Sequence, residues 1–302
     1  MNNKVFFRTF CALILFIGPI ALTAMAEQKV LTVGSIDPNI AGETAKFQPF
    51  IDYVAAHLKN YGIEKGHVEV VATSKEIVDK FKKKEVDLYI DSPFPTLLMQ
   101  KRAGVVPFLR RWKNGAAEYH SVIFVRKDSG IEKIEDLKGK MIAFKYNYST
   151  SSYFLPKATL LGKGLQLTNK ENPMSAVSPN EVGYVFSNDD ENTMVWVVNK
   201  KVGAGACHSD DFVSLAKGNI DDVKILMQTV DVPRHVLSHR AGMDPKLVDE
   251  IEKVLVSMDQ DAEGQKILKN FGKTKKFDRF PNGAKKDLQP IEKLYLLMEN
   301  EF

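Results

Sequence analysis

Two α/β lobes, each on a mixed or parallel sheet and joined by two crossover strands, are predicted for this chain of 302 residues. Three observations carry the prediction. Short apolar runs alternate with amphipathic stretches along the chain, as in a parallel sheet covered by helices. Setting aside an N-terminal export segment of 26 residues leaves 276, long for one core and comfortable for two. No low-complexity linker separates two halves, so the lobes have to be woven together rather than strung apart.

The export segment comes first. Lys4 and Arg8 make a basic start, Phe10 to Leu22 is an apolar core, and Ala24-Met25-Ala26 has the small-x-small pattern of a cleavage site. Cleavage near Ala26 and export are expected. The apolar run is broken by Gly18-Pro19 and is too short to span a bilayer comfortably. Cys11 lies inside the apolar core and not at the cleavage point, which argues against a lipid anchor. Cys207 is then the one cysteine left, so no internal disulfide is expected. The formal net charge of +4 falls by the two positive charges of the segment, to +2. Near-neutrality, with no basic stripe carrying interleaved aromatics, argues against a nucleic-acid partner.

The mature chain then reads in order. Val30–Ile36 is a strand, followed by a loop over 37–46. Phe47, Phe50, Ile51, Val54 and Leu58 share one helical face, predicting a helix over 47–61. A strand at Val68–Ala72 leads to Thr73-Ser74, which caps a helix ending near Lys84. Val86–Ile90 is the third strand, and Asp91-Ser92-Pro93 opens the next helix. Strands follow at 105–109, 119–126 and 141–144. A helix ends near Gly162, and the stretch from there to Gly183 is ambiguous. Later strands are read at 184–186, 203–207, 223–229 and 236–239, and helices at 191–200, from Ser209, and at 245–258, 262–271 and 284–298. The block from about 120 to 222 is its own strand–helix set, with crossings near 121–126 and 224–229. The predicted division is 27–118 plus 227–302 for the first lobe and 119–226 for the second.

Ligands of open α/β sheets sit beyond the carboxyl ends of the strands. Four strand-to-helix junctions carry hydroxyls or acids there: Thr73-Ser74, Asp91-Ser92, Ser149–Ser152 and Ser209-Asp210. The richest is FKYNYSTSSYFLP, residues 144–156. Ser149, Thr150, Ser151 and Ser152 stand where a helix begins, and unpaired N–H groups and the helix dipole favour an anion at such a place. A plain cap is the competing role for Ser149–Ser152. Several such donors would hold a small dianion without a guanidinium. Thr73 and Ser92 serve equally as caps, and Asp91, Asp190 and Glu191 as first-turn acids. Tyr148 beside the cleft could cover a ligand's alkyl part, and His208 could donate to an anion. No G-x-S-x-G elbow, H-E-x-x-H pair or glycine-rich nucleotide loop occurs, which speaks against catalysis, a metal and a cofactor.

With these residues in view, the chain resembles the periplasmic substrate-binding proteins of phosphate, phosphite and phosphonate ABC transporters. Phe47-Gln48-Pro49-Phe50 with Tyr53 is similar to that family's first-helix signature, and Glu76 to Asp91 to its helix–basic–strand segment. Ser149-Thr150-Ser151 followed by Pro156 matches its anion-binding turn, and Lys200-Lys201-Val202 with Gly205-Ala206 its later strand entry. The resemblance implies a type II binding-protein fold, a monomer in the periplasm, and a small phosphorus oxyanion, with a phosphonate foremost. It implies hand-over to an ABC permease in the inner membrane. A sensor-input role, or an enzyme acting on a phosphoester in the same cleft, is the alternative. The chain departs from the family at Ser152, in place of glycine, and at Asp91 and Asp190-Glu191. The added acid suits a zwitterionic ligand with Asp190 or Glu191 near an ammonium group.

Overall fold

A computed structural model describes residues 29–302, so the expected export segment lies outside the described residues. Strands β1 (Lys29–Ile36), β2 (Ile63–Val71), β3 (Leu88–Asp91) and β4 (Val106–Arg111) alternate with helices α1 (Ile40–Ala56), α2 (Ser74–Lys82) and α3 (Pro93–Ala103). A two-residue strand β5 (Glu118–Tyr119) leads into β6 (Ser121–Arg126), β7 (Met141–Phe144), α4 (Leu155–Gly162), β8 (Gln166–Asn169) and β9 (Glu181–Phe186). Then come α5 (Asp190–Val198), β10 (Ala204–His208), α6 (Phe212–Leu215) and β11 (Val223–Gln228). The chain returns through β12 (Val232–Pro233) to β13 (His235–His239), α7 (Pro245–Ser257), α8 (Ala262–Asn270), β14 (Phe277–Arg279), α9 (Ala284–Asp287) and α10 (Gln289–Leu296).

Two six-stranded mixed sheets result, in the orders β14-β4-β13-β3-β1-β2 and β11-β6-β10-β7-β9-β8. Each is the spine of one lobe of a type II binding-protein fold. The crossing is more economical than the sequence reading had it. Residues 121–126 and 224–229 do not cross: β6 and β11 pair antiparallel inside the second sheet. The continuous apolar run Val122–Val125 is buried on both faces, which places β6 inside a sheet rather than in a linker. The two lobes are joined instead by the short ribbon of β5 and β12, in which Tyr119 faces Val232 and Glu118 faces Pro233.

Other boundaries moved for similar reasons. The expected loop over 37–46 is mostly helix, because α1 starts at Ile40 under an Asn39 cap whose side chain accepts the Gly42 N–H at 3.1 Å. Its first turns face solvent and the cleft, so they show no apolar periodicity. Beyond them Phe47, Phe50, Ile51 and Val54 are buried, and α1 lies against β2 so closely that a Cβ on Gly66 would stand 2.6 Å from the Ile51 carbonyl carbon. β2 begins at Ile63, β8 fills part of the ambiguous stretch, and β14 is a strand that sequence reading did not find. α10 was expected with the first lobe; Ile291, Tyr295 and Met298 instead join a core that holds Phe94 and Leu97 of α3 together with Phe154, Leu155 and Ala158 of the second lobe. No helix among the described residues is long and apolar enough to cross a membrane.

Candidate anion-binding site

A cleft of about 850 Å3 opens between the lobes. It lies beyond the strand ends of each sheet, where β1, β3 and β4 end, β13 begins, and β7 and β10 end. Of the residues singled out by sequence, Thr73, Asp91, Ser92, Tyr148, Ser149, Thr150, Ser151, Ser152, Asp190 and His208 all line it. Glu191 does not; it is exposed on α5.

The hydroxyl motif forms a single π-helical turn, Thr150–Phe154, before α4. Ser149 is its cap: the Ser149 Oγ accepts the Ser152 N–H at 3.0 Å. The Thr150 hydroxyl works across the lobes. It accepts the Phe94 N–H at 3.1 Å and donates to the Ser92 Oγ at 2.9 Å, while the Phe94 and Phe154 rings stack at 4.2 Å beside it. Ser92 donates onward to Asp91, whose carboxylate also accepts the Tyr89 hydroxyl and the Ser92 N–H. Burial raises the Asp91 carboxyl above the ordinary range although these bonds pull it down. The Ser152 hydroxyl donates to Asp190 at 2.7 Å. Ser151 faces the cleft with its hydroxyl uncommitted among the described residues, and the first N–H groups of the turn have no intrahelical acceptor. Thr73 belongs to a capping box with Glu76.

The acids are spoken for. Asp190 forms an ion pair with Lys145 at 2.8 Å, and Glu191 is outside the cleft. The expectation of a carboxylate awaiting an ammonium group at 190–191 is therefore withdrawn, because a lysine of the protein already fills that role.

Sequence reading missed the cations. Arg111, Lys113 and Arg234 all line the cleft, and none has an acid within ion-pair distance among the described residues. Arg111 is 2% exposed, held by the Thr274 hydroxyl at 2.8 Å and the Phe271 carbonyl at 2.6 Å, with its guanidinium over the Phe271 ring. Arg234 is 8% exposed, stacks on Tyr119 at 4.6 Å, and its buried Nε has no partner. His208 packs on the other part of this column, its ring 4.7 Å from that of Tyr119. The His208 Nδ1 accepts the Asp210 N–H, so the neutral ring carries its proton on Nε2, which is buried and unpartnered. Burial, aided by Arg234 and Lys113, holds the His208 pKa down near 3, so the ring stays neutral and a donor. Burial and the neighbouring guanidinium of Arg234 lower Arg111 to about 9; burial with Arg234 and Arg111 lowers Lys113 to about 8. Mutually repelling, desolvated cations are an arrangement that an anion relieves. Guanidinium groups, which the sequence reading did not place there, thus stand beside the hydroxyls in this cleft.

A pH dependence follows from Lys113. Its folded pKa lies below its unfolded value near 10.4, so the protonated form costs stability at neutral pH and the cost fades as pH rises through about 8. A bound anion reverses that preference. A phosphate ester is already doubly ionised well above its second pKa of about 6. Its affinity should therefore fall several-fold between pH 7.5 and 9.5 in calorimetric titrations; a flat profile would remove Lys113 from the site.

These features describe a two-lobe protein whose interlobe cleft is lined by hydroxyls and by cations without acidic partners among the described residues. The chain belongs to the family described as ABC transporter, phosphonate, periplasmic substrate-binding protein, whose profile matches residues 40–282. Among solved structures it is similar to XAC2383 from Xanthomonas citri bound to ATP, at 24% identity and a TM-score of 0.81, covering 89% of this chain and 98% of that one. It is also similar to PhnD1 from Prochlorococcus marinus in complex with methylphosphonate, at 18% identity and 0.65, covering 90% and 99%. A binding protein component of an ABC phosphonate transporter from Pseudomonas aeruginosa matches at 19% identity and 0.61, covering 90% and 87%. At these identities the likeness is one of fold.

Proposed function

We propose that this protein captures a phosphorus oxyanion, a phosphonate or the phosphoryl group of an ester, in the interlobe cleft and delivers it to an ABC permease of the inner membrane. The observation that carries this reading is the pairing of two donor sets around one cleft. One is the turn at Ser149–Ser152; the other is the unneutralised group of Arg111, Lys113 and Arg234 with the His208 Nε2–H. The Tyr119 ring carries Arg234 and His208. Charge-assisted bonds of this kind contribute about 1.5–3 kcal/mol each. Capture without turnover is supported by how the motif's hydroxyls are used: Thr150 and Ser152 donate to Ser92 and Asp190, not to an imidazole base. Contacts across the cleft through Thr150 and Phe94 support closure of the lobes over the ligand.

The test is calorimetry of the mature chain against methylphosphonate, phenylphosphonate, phosphate and sulfate. At least one phosphorus compound should bind, and better than sulfate. Ser151→Ala should weaken that binding about tenfold or more with little change in melting temperature, because the hydroxyl holds no other group. Silence from every phosphorus compound would end the reading.

A further inference from the structure

We infer that the oxyanion captured here is the head of a larger molecule carrying a flat aromatic ring, an aryl- or nucleobase-bearing phosphate or phosphonate, with the ring resting on Tyr146 and Tyr148. The inference rests on the reading above and extends it to the far end of the ligand. Its first support is size. A cleft of about 850 Å3 has room for roughly thirty water molecules at about 30 Å3 each and falls in the range of sites that enclose drug-sized ligands. A methyl group on a phosphonate head displaces only a few of those waters.

The second support is the wall. Between β7 and the hydroxyl turn the chain crosses the cleft as Lys145 to Ser149, and this segment presents two tyrosines. Each is 44% exposed, and neither ring packs against another aromatic ring among the described residues. Tyr146 has the Lys145 ammonium 5.3 Å from its centroid, and that lysine is in turn fixed by Asp190. Two large side chains close together in the chain, left out of the core and set on a cleft wall, offer apolar surface to a ligand. A tyrosine face stacks on flat rings with little loss of side-chain freedom.

The third support is order along the cleft. Arg234 rests on Tyr119, whose hydroxyl meets Thr150 of the hydroxyl turn, and the two tyrosines precede that turn in the same segment. An anionic head anchored at the turn therefore leaves its substituent beside Tyr146 and Tyr148. The charge count agrees: three cations without acidic partners suit a head of two or more negative charges.

The experiment compares three probes on the mature chain by calorimetry: methylphosphonate, phenylphosphonate, which has the same head with a ring, and adenosine 5′-monophosphate. Phenylphosphonate or the nucleotide should bind at least tenfold tighter than methylphosphonate. In the Tyr146→Ala/Tyr148→Ala double variant that ratio should fall towards one, since stacking contributes about fivefold to a hundredfold per ring. Both positions are half-exposed, and an unchanged melting temperature confirms that the variant is folded. Equal affinities for the ringed and methyl probes in the parent protein, or an advantage that survives the double substitution, would overturn the inference while leaving the oxyanion reading intact. Absence of binding by all three probes would overturn that reading too.

Discussion

Arg234→Met should weaken capture of a phosphorus anion by a hundredfold or more, and the ligand-free protein should melt no lower than the parent. The two halves of this expectation have one cause. Arg234 is buried, and among the described residues it has no acid partner and its Nε has no hydrogen-bond partner. A desolvated charge without compensation costs the fold free energy. Methionine keeps the aliphatic stem against the Tyr119 ring, so packing is preserved while the charge is removed. Two lost charge-assisted bonds at about 1.5–3 kcal/mol each give the hundredfold or greater loss. Titration calorimetry and scanning calorimetry, both in phosphate-free buffer, check it. A drop in melting temperature with affinity intact would make Arg234 a structural residue. The expected combination is the usual conflict between a site and the stability of its scaffold.

Glu301→Ala should destabilise the protein by about 2–3 kcal/mol, and Lys157→Met should cost much less. Lys157 is 1% exposed, yet charged, on α4. Its ammonium meets Glu301 at 2.5 Å and the hydroxyls of Tyr184 and Tyr153 at 3.0 and 3.2 Å. Removing the acid strands the lysine, which for a fully buried pair costs about 3–5 kcal/mol; the partial exposure of Glu301 lowers the figure. Removing the lysine leaves only a carboxylate that can reach water. The double variant should therefore recover most of what Glu301→Ala loses, a coupling that scanning calorimetry reads directly. A shift of about 3–5 °C is the expected size for a chain of this length. The pair matters beyond stability because of what it joins. Tyr153, inside the anion motif, donates to Glu301 at 2.9 Å; the Phe302 ring lies 4.8 Å from Phe94; and Arg102 of α3 donates to the Phe302 carbonyl. The segment after α10 thus touches both lobes, and loosening it should ease their separation.

The hydroxyl motif lines the cleft as expected, but its four hydroxyls do different things. Four consecutive hydroxyls at a strand-to-helix junction were legible as an anion cradle, and they do line the cleft. Yet one caps the turn, one bridges the lobes and one binds Asp190, because a hydroxyl is small enough for any of these and the choice depends on what lies opposite. Glu191 illustrates the reverse: one position along the helix from Asp190, it turns out of the cleft altogether. Helical geometry fixed that separation, but which of the two faced inward depended on how α5 packs on β10, where Gly205 lets Thr193 approach.

The alternation of strand and helix, the two-lobe division of labour and the junctions at which a ligand would sit follow from the sequence alone, because each is set by residues within a few positions of one another. Periodicity, caps and turn chemistry are local. The cations of the cleft are not. Arg111 ends β4 and Arg234 precedes β13; they meet only because those strands pair antiparallel inside the first sheet, with His235 opposite Arg111. Whether a charge is neutralised is decided by the distance to every other charge. The sequence counts 42 basic and 38 acidic residues without saying which of them meet. Folding pairs Lys145 with Asp190 and leaves Arg111, Lys113 and Arg234 without acid among the described residues, and that unpaired charge beside a hydroxyl-lined junction is what the proposed anion capture rests on.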